Sequence, residues 1–266
     1  MESFREKVAL ITGANSGIGE AIALALAREG ARLILTARDA QRLETVRAQC
    51  AVLGAETLTF SADVTDETQV QALADFAHGR VPAVDLLINN AGVVMAGLVT
   101  EVPAEDWRRL HDINVMGVVH SCRAFLPKMT ARKQGGHVVN IASVAGFAGQ
   151  RGMSTYCASK FAVMGLSECL RAEMHRHGIG VTVVCPGYVR TPIEGKVKVV
   201  GRMNTPKVLQ NVQRDFKRGL KPETVAARTL TGIRRNQAIV RIGREAFLAH
   251  TLKRWAPGLL ERYQRG

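Results

Sequence analysis

Seven short runs of β-branched and aliphatic residues punctuate the chain, at positions 8–11, 32–37, 56–60, 86–89, 137–142, 181–185 and 238–241. Between them apolar residues recur at helical spacing, as Ile22, Leu24 and Leu26 do after the first run. That spacing predicts helices over 19–29, 40–53, 67–78, 104–129 and 155–176. Strands joined by helical crossovers pair in parallel, and runs this continuously apolar must be covered on both faces. The pattern predicts an α/β fold, a doubly wound parallel sheet of seven strands in a single domain. Residues 187–221 break the alternation. Pro192, Gly195, Gly201 and Pro206 stand there among basic residues, and so long a loop in a compact domain predicts a substrate lid.

Composition narrows the classes further. With 266 residues, 47% hydrophobic and 22% charged, the chain suits one sizeable core and excludes a disordered or collagen-like polymer. No apolar run reaches the roughly 18 residues of a spanning helix, and Glu2, Arg5, Glu6 and Lys7 stand where a secretory leader would turn apolar. The five cysteines are odd in number and form no C-x-x-C pair, so neither a disulfide framework nor a metal site is expected, and a cytoplasmic setting is. The net charge of +13 is confined to one segment. Residues 190–266 hold 18 Lys and Arg against 5 Asp and Glu, while residues 1–189 are neutral. Such asymmetry predicts a partner-binding tail more than a nucleic-acid binder.

Candidate chemistry begins after the first strand, in Thr12-Gly13-Ala14-Asn15-Ser16-Gly17-Ile18-Gly19. Glycines let the backbone turn sharply and approach a pyrophosphate, which the free N–H groups of the following helix then bind. The spacing is G-x-x-x-G-x-G, and Glu20 excludes the Lys-Ser/Thr of a nucleotide triphosphate loop. A glycine-rich turn with no ligand is the alternative. At the end of the second strand, Ala37 takes the place of the acidic residue that would bind an adenosine ribose, and Arg38 follows. A guanidinium there suits a 2′-phosphate, which favours NADP over NAD. Asp39 in a shifted register, or Arg38 as a solvated charge, is the other reading. Asp63-Val64 follows the third strand, where Asp63 either accepts from an adenine amino group or caps a helix.

Tyr156 and Lys160 lie one helical turn apart, so an ammonium near the phenol would lower its pKa and make it a usable acid or base. Ser143 follows the strand 137–142, Asn90 follows the strand 86–89, and Asn114 falls in the middle of a long helix. In an open parallel sheet the strand C-termini share one crevice, so the glycine turn, Asn90, Ser143 and Tyr156 face one site.

These motifs, with N-N-A-G at Asn89-Asn90-Ala91-Gly92 and Pro186-Gly187 before Thr191, make the chain similar to the short-chain dehydrogenase/reductase family over about residues 5–242. The resemblance implies a Rossmann-type sheet, NAD(P) and a homodimer or homotetramer. It implies Tyr156 as general acid/base, Ser143 as partner of the substrate carbonyl, Lys160 on the nicotinamide ribose and Asn114 holding a relay water. Gly13, Asn15, Ser16, Gly17, Ile18 and Gly19 would cradle the pyrophosphate, with Asn90, Ala91 and Gly92 forming the cofactor floor. Pro186, Gly187, Val189 and Thr191 would lie at the nicotinamide, with Thr191 on its carboxamide.

The expected function is hydride transfer between NADP(H) and a carbonyl or secondary alcohol. Its alternatives are an NAD-dependent alcohol dehydrogenase of the same family and a non-catalytic dinucleotide sensor, which would have no need of Ser143, Tyr156 and Lys160 together. A methyltransferase would leave the Tyr/Lys pair idle. Val93, Val94, Met95, Val144, Ala145, Phe147, Met153, Tyr188 and Ile193 flank the chemistry, pointing to a lipophilic substrate or simply to core packing. Residues 1–242 form the expected catalytic domain, and 243–266 a basic tail. There Phe247, Leu248, Leu252, Trp255, Leu259 and Tyr263 recur at helical spacing beside Lys253, Arg254, Arg262 and Arg265. Such a tail lies on an anionic membrane or docks on protein.

Overall fold

The computed structural model describes residues 1–191 and 197–265, with side chains as far as 261 at the C-terminus. In chain order the elements are β1 (Val8–Thr12), α1 (Gly17–Arg28), β2 (Arg32–Ala37), α2 (Ala40–Val52), β3 (Thr57–Ser61), α3 (Glu67–His78), β4 (Leu86–Asn89), β5 (Met95–Ala96), α4 (Ala104–His111) and α5 (Gly117–Ala131). There follow β6 (Gly136–Ile141), α6 (Ser154–Met174), β7 (Ile179–Pro186), β8 (Lys198–Val199), α7 (Pro206–Arg218), α8 (Pro222–Arg234), β9 (Ile239–Ile242), α9 (Arg244–Trp255) and α10 (Pro257–Arg265).

Seven strands form one parallel sheet in the order β3-β2-β1-β4-β6-β7-β9, as the hydrophobic pattern predicts. Alternate side chains serve opposite faces. Ala9 and Ile11 pack with Ile22 and Leu26 of α1, Leu43 of α2 and Ile233 of α8, whereas Val8 and Leu10 pack with Leu73 of α3, Phe125 of α5 and Val163 of α6. Covering both faces is why the strands read as unbroken apolar runs. The order turns back between β1 and β4, and the crevice beyond their C-terminal ends is where such a sheet receives ligands.

Two elements depart from the pattern. The helix predicted over 104–129 is interrupted by a π-helical turn, Asp112–Met116, which separates α4 from α5. An apolar period does not register one extra residue per turn, and such turns recur at functional sites. The predicted lid has structure of its own. Within it β8 pairs in parallel with β5, and α7 starts with Pro206 in its first turn and Thr205 accepting a hydrogen bond from the Val208 N–H. Pro192, Ile193 and Gly195 lie outside the described residues, as do the side chains of Arg262, Tyr263 and Arg265.

Candidate active site

The glycine turn is held from below by side chains of its neighbours. Asn90 donates through Nδ2 to the carbonyls of Thr12 and Gly13, each at 3.0 Å, and Thr12 Oγ1 accepts from the backbone N–H groups of Asn90 and Ala91. Gly13 stands at φ +62° with Ala91 so near that a Cβ would come within 2.9 Å of its Cα. Gly19 does not line the cleft. It is buried behind it, where a Cβ would overlap the Gly13 carbonyl oxygen, so its part is to let α1 close on β1. Ser16 precedes α1 with extended backbone and makes no side-chain bond to the helix. The free amides at the start of α1 therefore face the cleft, a site for negative charge.

Arg38, Asp39, Asp63 and Val64 line the same end. Asp39 is committed elsewhere. Its Oδ1 caps α2 by accepting from the Arg42 N–H at 3.0 Å, and its other oxygen faces the Arg42 guanidinium at 3.7 Å. Arg38 is exposed and lies 3.6 Å from Asp63, an ion pair that water screens and that holds it weakly. Asp63 accepts from the N–H and hydroxyl of Thr65, while the cap of α3 is Asp66 rather than Asp63.

At the centre of the cleft Ser143 caps a 3-10 turn, Val144–Gly146, accepting from the Ala145 N–H at 3.2 Å, and its hydroxyl lies near enough to the Tyr156 phenol to favour the ionised form. Lys160 is buried. Its Nζ donates to the Ile141 carbonyl at 2.9 Å and lies 5.7 Å from the Tyr156 ring centre. Burial pushes Lys160 down to about 8 and the Tyr156 phenol up to about 12, the nearby Ser143 hydroxyl opposing the latter. The lowering of the tyrosine by lysine that the sequence suggests is not found. Desolvation outweighs every other influence on the phenol, and the ammonium is turned to a carbonyl.

Asn114 sits in the π turn, just behind the cleft wall. Its Oδ1 accepts from Val93 N–H at 2.8 Å, and its Nδ2 donates to Val93 O and Ser159 Oγ, each at 3.0 Å. Both amide hydrogens are thus spent, leaving one Oδ1 lone pair; a Cβ on Gly92 would lie 3.2 Å from that oxygen and 3.6 Å from Lys160 Nζ. Ala91, Gly92, Pro186, Gly187, Val189 and Thr191 complete the walls.

The whole cleft measures about 1060 Å³, at the upper end of small-molecule sites. Of the expected substrate flank, Val93, Val94, Val144, Ala145, Met153 and Tyr188 line it. Met95 instead packs on Val102 and Leu110, and Phe147 is buried with its ring edge-on to His250 at 4.9 Å. Several wall residues lie beyond the motifs: Arg151, Val212 and Phe216 of α7, and Glu245, Leu248, Leu252 and Leu260 of the C-terminal helices. The helical apolar spacing of the tail was the signal for Leu248 and Leu252. A cradle that no side chain could enter, next to bare helix amides and a cleft this large, fits a dinucleotide.

Fold and site together define an open α/β protein with a dinucleotide-type turn and a Ser/Tyr/Lys cluster. Residues 7–199 match the model of short chain dehydrogenases. Over 96% of the chain it is 37% identical to the oxidoreductase SadH of Mycobacterium tuberculosis, covering 92% of that protein. It is 33% identical to the oxidoreductase EphD of the same organism over 97% of the chain, of whose length it spans only 44%. Among solved structures, a short-chain dehydrogenase/reductase from Burkholderia phymatum in complex with NAD superposes with a TM-score of 0.87 at 34% identity, over 99% of this chain and 97% of that one. Levodione reductase superposes with a TM-score of 0.82 at 30% identity, over 92% and 98%. The chain belongs to the short-chain dehydrogenase family.

Proposed function

We propose that the protein is an NADP(H)-dependent oxidoreductase interconverting a lipophilic ketone or aldehyde and its alcohol. The observation that carries this reading is the grouping of Ser143, Tyr156 and buried Lys160 in one cleft that also holds the glycine turn. When bound, the nicotinamide supplies or accepts the hydride. The rest falls to the chain. The Ser143 hydroxyl already accepts from Ala145 N, so its own proton is free to be donated to a carbonyl oxygen. Tyr156, held protonated through the neutral range, gives its proton as that oxygen gains charge. Lys160 spends one N–H on Ile141 and keeps two for ribose hydroxyls. Asn114, through its remaining lone pair near Lys160, holds the water that returns a proton.

The turn at Gly13, Asn15, Ser16, Gly17 and Ile18 holds the pyrophosphate in this reading, with Asn90, Ala91 and Gly92 beneath. Pro186, Gly187, Val189 and Thr191 hold the nicotinamide. NADP is favoured because Asp39 is engaged by α2 while Arg38 is released at little cost. The NAD in the Burkholderia relative keeps NAD as the second reading. The protein assembles as a homodimer or homotetramer. A reducing cytoplasm suits five free cysteines, four of them buried. No described helix is long and apolar enough to cross a membrane. Peripheral contact through the outer face of α9 and α10 is a further part of the proposal.

Tyr156→Phe should fold, bind NADPH and lose about 10²–10⁴-fold in turnover. Near-normal turnover of any verified carbonyl substrate by that variant refutes the assignment. In parallel, Arg38→Asp should move the preference from NADPH toward NADH, read as the ratio of kcat/KM values.

A further inference from the structure

We propose that the substrate is an anionic amphiphile, an apolar oxo compound ending in a carboxylate or phosphate monoester, and that Arg151 binds the anionic end. This rests on the oxidoreductase reading and names the substrate class of that same cleft.

The cleft has two unlike ends. One holds the glycine turn, Arg38 and Asp63; the other is walled by apolar side chains, among them Val94, Met153, Val212, Phe216, Leu248 and Leu252. Six charged groups line the whole, and four of them have partners. Arg38 faces Asp63, Asp39 caps α2, and Lys160 is buried against Ile141. Glu245 lies in the first turn of α9, against Gly187 and Gly243. The sixth is Arg151, whose guanidinium makes no ion pair, hydrogen bond or ring contact among the described residues. Two cations of the lid region are paired: Lys198 Nζ holds both oxygens of Asp106 at 2.7 Å, and Arg202 holds Glu101.

The backbone that carries Arg151 is anchored. The Met153 N–H donates to the Gln150 carbonyl at 3.0 Å, and the Gly97 N–H donates to the Gly152 carbonyl at 2.7 Å, pinning the turn to the strand that follows β4. Met203 of the lid lies directly over Gly152. Arg151 thus stands on an anchored turn five residues before Tyr156 and lines the cleft beside Met153. A planar fork of donors matches an oxyanion in two parallel hydrogen bonds. An unpaired positive charge over an apolar cleft also draws in anions from solution. An apolar chain along α7 and α9 with its anion at Arg151 leaves its carbonyl to Ser143 and Tyr156.

The test compares oxoalkanoates of graded length, and the matching oxoalkyl phosphates, with their uncharged methyl esters and alcohols, all with NADPH. We expect at least a tenfold preference in kcat/KM for the anionic member of a pair, carried in KM and weakened by added salt. The preference should fall to near one in Arg151→Ala and persist in part in Arg151→Lys. Because it is a ratio within one preparation, incomplete folding of a variant cancels. A carboxylate preference without a phosphate one, or the reverse, identifies the anion. Equal use of charged and uncharged members by the unaltered protein, or a preference untouched by Arg151→Ala, overturns the proposal while leaving the oxidoreductase reading intact. Turnover of no carbonyl compound at all would instead bring down both.

Discussion

Gly19 shows how a residue named for ligand binding acts through packing. Its Cα lies so near the Gly13 carbonyl and the Asn90 amide that no side chain fits, and Asn90 is the group that fastens the turn to β4. Gly19→Ala should therefore cost about 1–3 kcal/mol of stability by forcing α1 off β1, lowering the melting temperature by several degrees. Dinucleotide affinity should fall with it, measured as quenching of protein fluorescence by NADPH. An unchanged melting temperature with unchanged affinity would contradict this. The three glycines were legible from the sequence because backbone freedom is a property of residue type. The state of Tyr156 was not, since spacing brings Lys160 within reach but says nothing of the Ile141 carbonyl that accepts its hydrogen bond.

Among the elements, the strands were legible and the interrupted helix was not. Five residues of π turn put Asn114 Oδ1 and Nδ2 onto the Val93 backbone, a contact across 21 positions that no local period encodes. The tail was half legible. Its apolar spacing forecast α9 with a face to bury, and Ala246, Ala249 and Leu260 are buried while Leu248 and Leu252 wall the cleft. Both faces matter, because Trp255 at 77% and Leu259 at 56% exposure remain outside, beside Lys253 and Arg254. That composition suits an anionic bilayer surface. Trp255→Glu combined with Leu259→Glu should reduce flotation with anionic vesicles about tenfold or more, each lost insertion costing on the order of 1.5–3 kcal/mol. Equal flotation of both proteins, or none by the unaltered one, would retire membrane contact. Truncation after Ile242 is the poorer test, since it would also remove the cleft wall.

The molecule as a whole responds to acid through a buried group that takes no part in the chemistry. His137 is buried in β6, and burial, aided by the N-terminal and Arg171 charges, pushes its pKa down to about 3. Thr182 donates its only hydroxyl proton to the Gln237 carbonyl, so the bond at 2.8 Å has His137 Nε2–H as donor and the ring is neutral. The unfolded chain takes up a proton near pH 6.5, whereas the native one does not until about pH 3. Stability contributed by this residue is therefore full above about pH 6.5 and is lost as pH falls, by up to ~1.4 kcal/mol per unit. Urea midpoints at pH 7 and pH 4.5 should differ accordingly, and less so in His137→Gln. His78 and His250, also lowered by burial, add in the same direction.

Residue types and their periods sufficed for the strands, the crossovers, the glycine turn and the gathering of Asn90, Ser143 and Tyr156 at one crevice. Each of these is local, and parallel pairing carries every strand end to the same edge. Long-range packing had to supply the rest: the kink at Asn114, the raised phenol, and the closing of the apolar end of the cleft by α7, α9 and α10. Those depend on which groups meet across tens to hundreds of positions, and on how much water is excluded there, neither of which is written in the spacing of apolar residues along the chain.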